Sequence, residues 1–300
     1  MKWRGRRGSS NIQDRRSSGG GMRRGRGGGG SNMGLGGGGG KATGGFGLII
    51  VIVAALFFGT DLTSILGGDS GAGISSSAPR ELTQADEDAA QMVSVVLADT
   101  EEVWADLLPQ QFGQAYRPAT LVLFSGQTQS QCGVASAASG PFYCPPEQAI
   151  YLDTQFFITM ERQLGAAGDF AQAYVVAHEV AHHVQNEMGI LDQVNRERAR
   201  SSEVRSNQLS VMIELQADCF SGIWAREAQA RFNLLEEGDL EEALQAAWAI
   251  GDDTLQRNAG QRVRPHTFTH GTSEQRQQWF IRGAQSGDIT QCNTFEARNL

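Results

Sequence analysis

The chain has 300 residues, 40% of them hydrophobic and 19% charged, with a formal net charge of −8. That length excludes a chain too small to bury a core and allows one large domain or two small ones. The net charge conceals a split. Residues 1–41 carry ten Lys or Arg against a single acid, Asp14, which leaves 15 basic and 32 acidic groups, and no Lys, for residues 42–300.

In chain order, the Arg/Gly-rich head comes first. RGRR, RR and MRRGRG set in Gly and Ser cannot bury enough apolar surface to fold alone, so residues 1–41 read as a disordered tail. Such tracts can bind nucleic acid. Beside an apolar segment, the simpler role is a topology signal with attraction to anionic headgroups. The run GGFGLIIVIVAALFFG at 44–59 carries no charge. Extended to residues 42–66, it is long enough for one transmembrane helix. Positive charge stays in the cytoplasm, so this reading expects a single-pass protein of the bacterial inner membrane. Its N-terminus would be cytoplasmic and its catalytic domain periplasmic. A cleaved signal peptide fits less well, because no small-x-small site follows directly. Residues 67–79 read as a flexible linker, and residues 80–300 as the functional domain.

Within 80–300, residues 82–108 read as one or two amphipathic helices, with Glu101, Glu102 and Asp106 on a solvated face. Short strands are expected at Leu121–Phe124 and Ala149–Asp153, with a Cys132-to-Cys144 loop between them. Helices follow at about 155–163, 170–188, 203–229 and 239–250, and after Thr272 or Ser273 as N-cap. Gly189 stops the second of these. Residues 192–200 read as a loop or exposed helix. Four Cys, at 132, 144, 219 and 292, allow three pairings. A local staple of Cys132 with Cys144 would leave Cys219 for Cys292.

The chemistry concentrates in FAQAYVVAHEVAHHVQNEMG. His178 and His182, at i and i+4, lie one turn apart on one helix face and can reach one metal ion. Glu179, about 100° around the helix, places a carboxylate beside that ion. This is the His-Glu-x-x-His pattern, with the Glu as general base towards a metal-activated water. His183 points away and reads as a packing or surface residue. A metzincin continuation would place Gly at 185 and His at 188, but Gln185 and Met188 stand there. Downstream, Glu214 and Asp218 share a face of the next long helix. Glu214 completes a two-His, one-Glu set for one Zn2+ per chain, and Asp218 accepts the free ring N–H of a ligand His.

These residues carry a resemblance. HEVAHHVQ, ELQADCFSGIWA, the start KWRGRRGSSNIQDRR, CGVASAASGPFYCPPEQAIYLDTQFF and HGTSEQR with a final Cys resemble the neutral zinc metallopeptidase family of bacteria, across essentially the whole chain. The resemblance implies an α+β, predominantly helical, gluzincin-like zinc-peptidase domain with a small sheet, acting on a peptide or protein substrate. By likeness to gluzincin folds, Ile150–Leu152 would be the strand along which an extended peptide pairs. TFTHGTSEQRQQWF also resembles an element near the site of CaaX-type metalloproteases. That makes His270 and Arg276 candidates for steadying the oxyanion, with Tyr151 as a third. A non-catalytic, zinc-stabilised binding module of the cell envelope is the rival reading, and the intact Glu179 argues against it.

Overall fold

The main sheet begins with residues from the Arg/Gly-rich head. The computed structural model describes residues 1–17, 81–136 and 139–297. Strand β1 (Ile12–Asp14) runs parallel to β2 (Thr120–Phe124). A separate hairpin, β3 (Gln127–Ser130) with β4 (Gly133–Ser136), follows in the chain. Strand β5 (Phe142–Cys144) is antiparallel to β6 (Ala149–Asp153), and β6 is parallel to β2, so the sheet order is β1-β2-β6-β5.

Alternation along the strands divides their side chains between two cores. Leu121, Leu123, Tyr143, Ile150 and Leu152 enter the main core. Val122, Phe124, Phe142, Ala149 and Tyr151 form a second cluster with Ala135 of the hairpin. Both faces are therefore covered, which is why β2 and β6 read as nearly continuous apolar runs. A Cys132–Cys144 disulfide ties the hairpin to β5. Because β2 and β5 flank β6, Ile150–Leu152 has no free edge. The expected peptide-pairing role for that strand does not hold.

The described residues are otherwise mainly helical. Helix α1 (Gln84–Phe112) opens with a capping box of Thr83 and Asp86. Then come α2 (Gln155–Leu164), α3 (Asp169–Glu187), α4 (Ile190–Arg198), α5 (Glu203–Phe232), α6 (Asp239–Ala249), α7 (Asp252–Asn258) and α8 (Ser273–Ser286). Buried residues occupy nearly every position of α3, as a central core helix requires. It packs among α1, α5 and α6.

Helices α5 and α8 meet backbone to backbone. A Cβ on Gly283 would run into the Cys219 carbonyl, and one on Gly222 into the Phe280 carbonyl. A second disulfide, Cys219–Cys292, secures the same region to the C-terminal segment. Gly283→Ala should therefore force the helices apart and destabilise the fold by about 1–3 kcal/mol, as overpacking does. Urea unfolding checks this, and an unchanged midpoint would mean that the close approach carries no stability.

The basic head finds its counter-charge inside the domain. Arg6 forms a two-pronged pair with Asp99 at 2.6 and 2.7 Å, and Arg7 reaches Glu102. Ser9 and Asn11 donate to Glu101. Trp3 is buried, its indole N–H donating to Asp169 at the start of α3. Arg16 donates to the Asp86 carbonyl and to Glu87. Of the acidic positions expected on a solvated face of α1, Glu101 and Glu102 receive residues 7–11, while Asp106 is exposed and pairs with Arg231.

This corrects the membrane expectation. Among the described residues no helix is long and apolar enough to cross a membrane. Residues 42–66, where the transmembrane helix was expected, lie outside them, as does most of the expected tail and the linker at 67–79. The physical reason is topological. One crossing at 42–66 would put residues 1–17 and 81–297 on opposite sides of a bilayer, yet β1 is hydrogen-bonded to β2 within one folded body. The expected single-pass anchor in the inner membrane, with a cytoplasmic N-terminus and a periplasmic domain, does not hold.

Candidate metal centre

Three ligand-type side chains converge where α3 packs on α5. His178 and His182, one turn apart on α3, stand edge to face with ring centroids 4.8 Å apart. Opposite them, the Glu214 carboxylate lies 3.1 Å from His178 Nε2 and 3.5 Å from His182 Nε2. All three residues are buried, and one ligand atom from each lies within 4.8 Å of the others. Glu179 is beside them, 8% exposed. No hydrogen bond or ion pair joins its carboxylate to another described residue. Burial pushes its carboxyl pKa up, against the pull of the two histidines.

Behind His178 lies a buried polar network. Asp218 Oδ1 accepts from His178 Nδ1 at 2.9 Å and from the Tyr174 hydroxyl at 2.5 Å. Arg276 of α8 clasps the same carboxylate with Nε at 2.8 Å and Nη2 at 2.9 Å. A carboxylate only accepts, so His178 Nδ1 carries hydrogen and its Nε2 is left facing Glu214. On the other ring, His182 Nδ1 lies 2.9 Å from Gln185 Oε1.

The local field favours positive charge between the rings. Burial works against a charged His178, but Asp218 and Glu214 outweigh it and raise its pKa to about 9. Burial likewise opposes ionised Glu214, yet His182 and His178 hold it well below the usual carboxylate range. Asp218 is lowered too, burial being overcome chiefly by Arg276 and then His178. Two imidazole nitrogens and a carboxylate, converging in a buried site that stabilises positive charge, fit a divalent cation of the zinc type.

His270 reaches this region from the loop before α8. The carboxylate of Asp252, first residue of α7, accepts from the backbone N–H groups of Thr269, His270 and Gly271 at 2.7, 2.6 and 3.0 Å. It also faces His270 Nδ1 at 3.2 Å. Gly271, at φ +93°, leans on Leu215 and Val211 of α5, next to Glu214. Burial lowers the His270 pKa, but Asp252 and then Glu214 reverse this and raise it. Its Nε2 bonds to no described residue.

The other two oxyanion candidates lie elsewhere. Arg276 is 2% exposed, behind His178, and is committed to Asp218. Tyr151 packs in the second cluster beneath the hairpin and donates to Glu147. His183 is a buried packing residue, between the Tyr143 hydroxyl and the Arg117 carbonyl. Sequence reasoning missed Tyr174, Gln185, Gln216 and Asp252. Tyr174 and Gln185 had a signal, lying four residues before His178 and three after His182 on the same helix.

Fold and site together define a helical domain built around a buried cluster of two His and one Glu that could hold a metal ion, on two packed helices. A family model described as "Putative neutral zinc metallopeptidase" matches residues 1–295, and the chain belongs to that family. It is 45% identical over 295 residues to "Uncharacterized protein YpfJ" of Escherichia coli (strain K12), covering 98% of this chain and 99% of that one. It is 42% identical over 210 residues to "Uncharacterized protein Mb2605" of Mycobacterium bovis, covering 67% and 68%. No solved structure matches the chain.

Proposed function

We propose that this protein hydrolyses peptide bonds in a zinc-dependent reaction, with His178, His182 and Glu214 as ligands of one Zn2+ and Glu179 as general base. The carrying observation is the convergence of both Nε2 atoms on Glu214 beside a buried carboxylate, Glu179, that bonds to no other described residue. A bound zinc ion supplies Lewis acidity and lowers the pKa of a water towards about 7. Glu179 takes the proton from the attacking water and returns it to the leaving amine. His270 Nε2 donates to the substrate carbonyl oxygen as negative charge develops there. Asp252 holds the loop that presents His270. Asp218, itself held by Arg276, keeps the His178 ring in its ligating orientation.

A purely structural zinc site would gain nothing from Glu179. Burying a carboxylate without a partner is costly, and a binding module could carry an apolar residue there. The test pairs peptide-library cleavage with zinc content for the full chain and for Glu214→Ala. The wild type should cleave, and chelation should abolish cleavage. Glu214→Ala should lose more zinc affinity than the roughly 10–100-fold typical of an outer-shell partner. Full zinc occupancy at unchanged affinity in that variant would remove Glu214 from the ligand set. Zinc bound without cleavage of any library peptide would favour the binding module.

A further inference from the structure

Among the described residues no carboxylate stands behind His182, unlike His178. Its Nδ1 faces the side-chain oxygen of Gln185, and which atom of a Gln amide is oxygen is set by what else the amide touches. Here that is decided by backbone groups. The Gln185 amide nitrogen lies 2.8 Å from the Ile213 carbonyl and 3.0 Å from Gln216 Oε1. Gln216 is fixed in turn, its own amide nitrogen lying 3.0 Å from the Cys292 carbonyl. Backbone carbonyls only accept, so both amides must turn their NH2 groups towards them. The Gln185 oxygen is thereby left for His182. All members are buried, and a reversed amide would face carbonyl to carbonyl at each anchor.

We infer that Gln185 and Gln216 are positioning residues that keep hydrogen on Nδ1 of His182, the Nδ1–H tautomer in which Nε2, the nitrogen facing Glu214, is the one available to a metal. The direction of the relay originates in two carbonyls, Ile213 on α5 and Cys292 in the C-terminal segment. Cys292 is disulfide-bonded to Cys219, three residues from Gln216 on α5. The bridge therefore keeps the far anchor of the relay in place. The consequence for zinc rests on the proposed ligand role of His182, whereas the tautomer itself does not.

The test uses full-length, metal-free protein with 15N-labelled histidine rings, for wild type, Gln185→Leu and Gln216→Leu. In the wild type, His182 should show hydrogen on Nδ1, the nitrogen that faces Gln185. Gln185→Leu should lose that preference at His182 and leave His178, held by Asp218, unchanged. Gln216→Leu should shift His182 the same way but less, because Ile213 still anchors Gln185. His178 serves as the folding control within each molecule. Zinc affinity, read by chelator competition, should fall about 10–100-fold in Gln185→Leu. A wild-type His182 signature in Gln185→Leu would overturn the relay, as would equal disturbance of both histidines. A lost tautomer with unchanged zinc affinity would keep the relay and count instead against His182 as a ligand.

Discussion

Glu179→Gln should bind zinc as tightly as the wild type and cleave peptides roughly 10²–10⁴-fold more slowly, the usual worth of a positioned general base. Glutamine keeps the size of the side chain and removes its ability to take a proton. Because the Glu179 carboxylate makes no bond to another described residue, the change breaks no hydrogen bond or ion pair within the fold. Its amide also avoids burying a carboxylate at 8% exposure. Stability should therefore hold or rise slightly. The measurement is kcat/KM on a peptide selected from the library, with zinc content and a melting curve for both proteins. Retained turnover in the variant would assign proton transfer to another group.

Arg276→Met should be the most destabilising single change near the site, costing about 3–5 kcal/mol. Removing one member of a buried ion pair leaves the other charge uncompensated, and that penalty exceeds the net worth of the pair. Asp218 is 0% exposed and would lose two of the four donors that satisfy it. Lysine should not rescue the variant, since it lacks the planar fork that spans both carboxylate oxygens. Adding Asp218→Asn to Arg276→Met should recover part of the loss, because the uncompensated charge goes with it. Denaturant unfolding of the three variants reads this directly. A cost below about 1 kcal/mol for Arg276→Met would mean that water or another group solvates Asp218.

What the sequence made legible was local. His178 with His182, and Glu214 with Asp218, are each one helical turn apart, and a periodicity argument places such pairs on common faces before any fold is known. The partners of Arg276 were not legible, because they depend on how α8 packs against α5, through glycines that no pattern rule assigns to each other. Arg276 was read as reaching the open side of the site, when the packing turns it behind His178. The same holds for Gln216, whose role requires a carbonyl 76 residues away. The largest misreading concerned residues 1–17. Composition averaged over 41 residues described a disordered cation. It could not register a three-residue strand whose partner lies beyond residue 119, nor an acidic face on α1 spaced to receive Arg6 and Arg7. Hydropathy then placed a membrane between two parts of one folded body.

The placement of the head also sets the order in which the molecule can be completed. Lys2 contacts Asn233 across a sequence separation of 231 residues, and β1 has no partner until β2 exists. At roughly 5–20 residues per second, synthesis brings β2 out of the ribosome some 5–20 s after the head, and Asn233 some 10–50 s after it. Pairing over such separations is slow, and contacts within and between neighbouring helices form first. The head, translated before these partners, is therefore among the last parts of the described structure to dock. Until then Trp3 and the edge of β2 stay exposed in the nascent chain, which makes that interval its period of greatest exposure to aggregation and proteolysis.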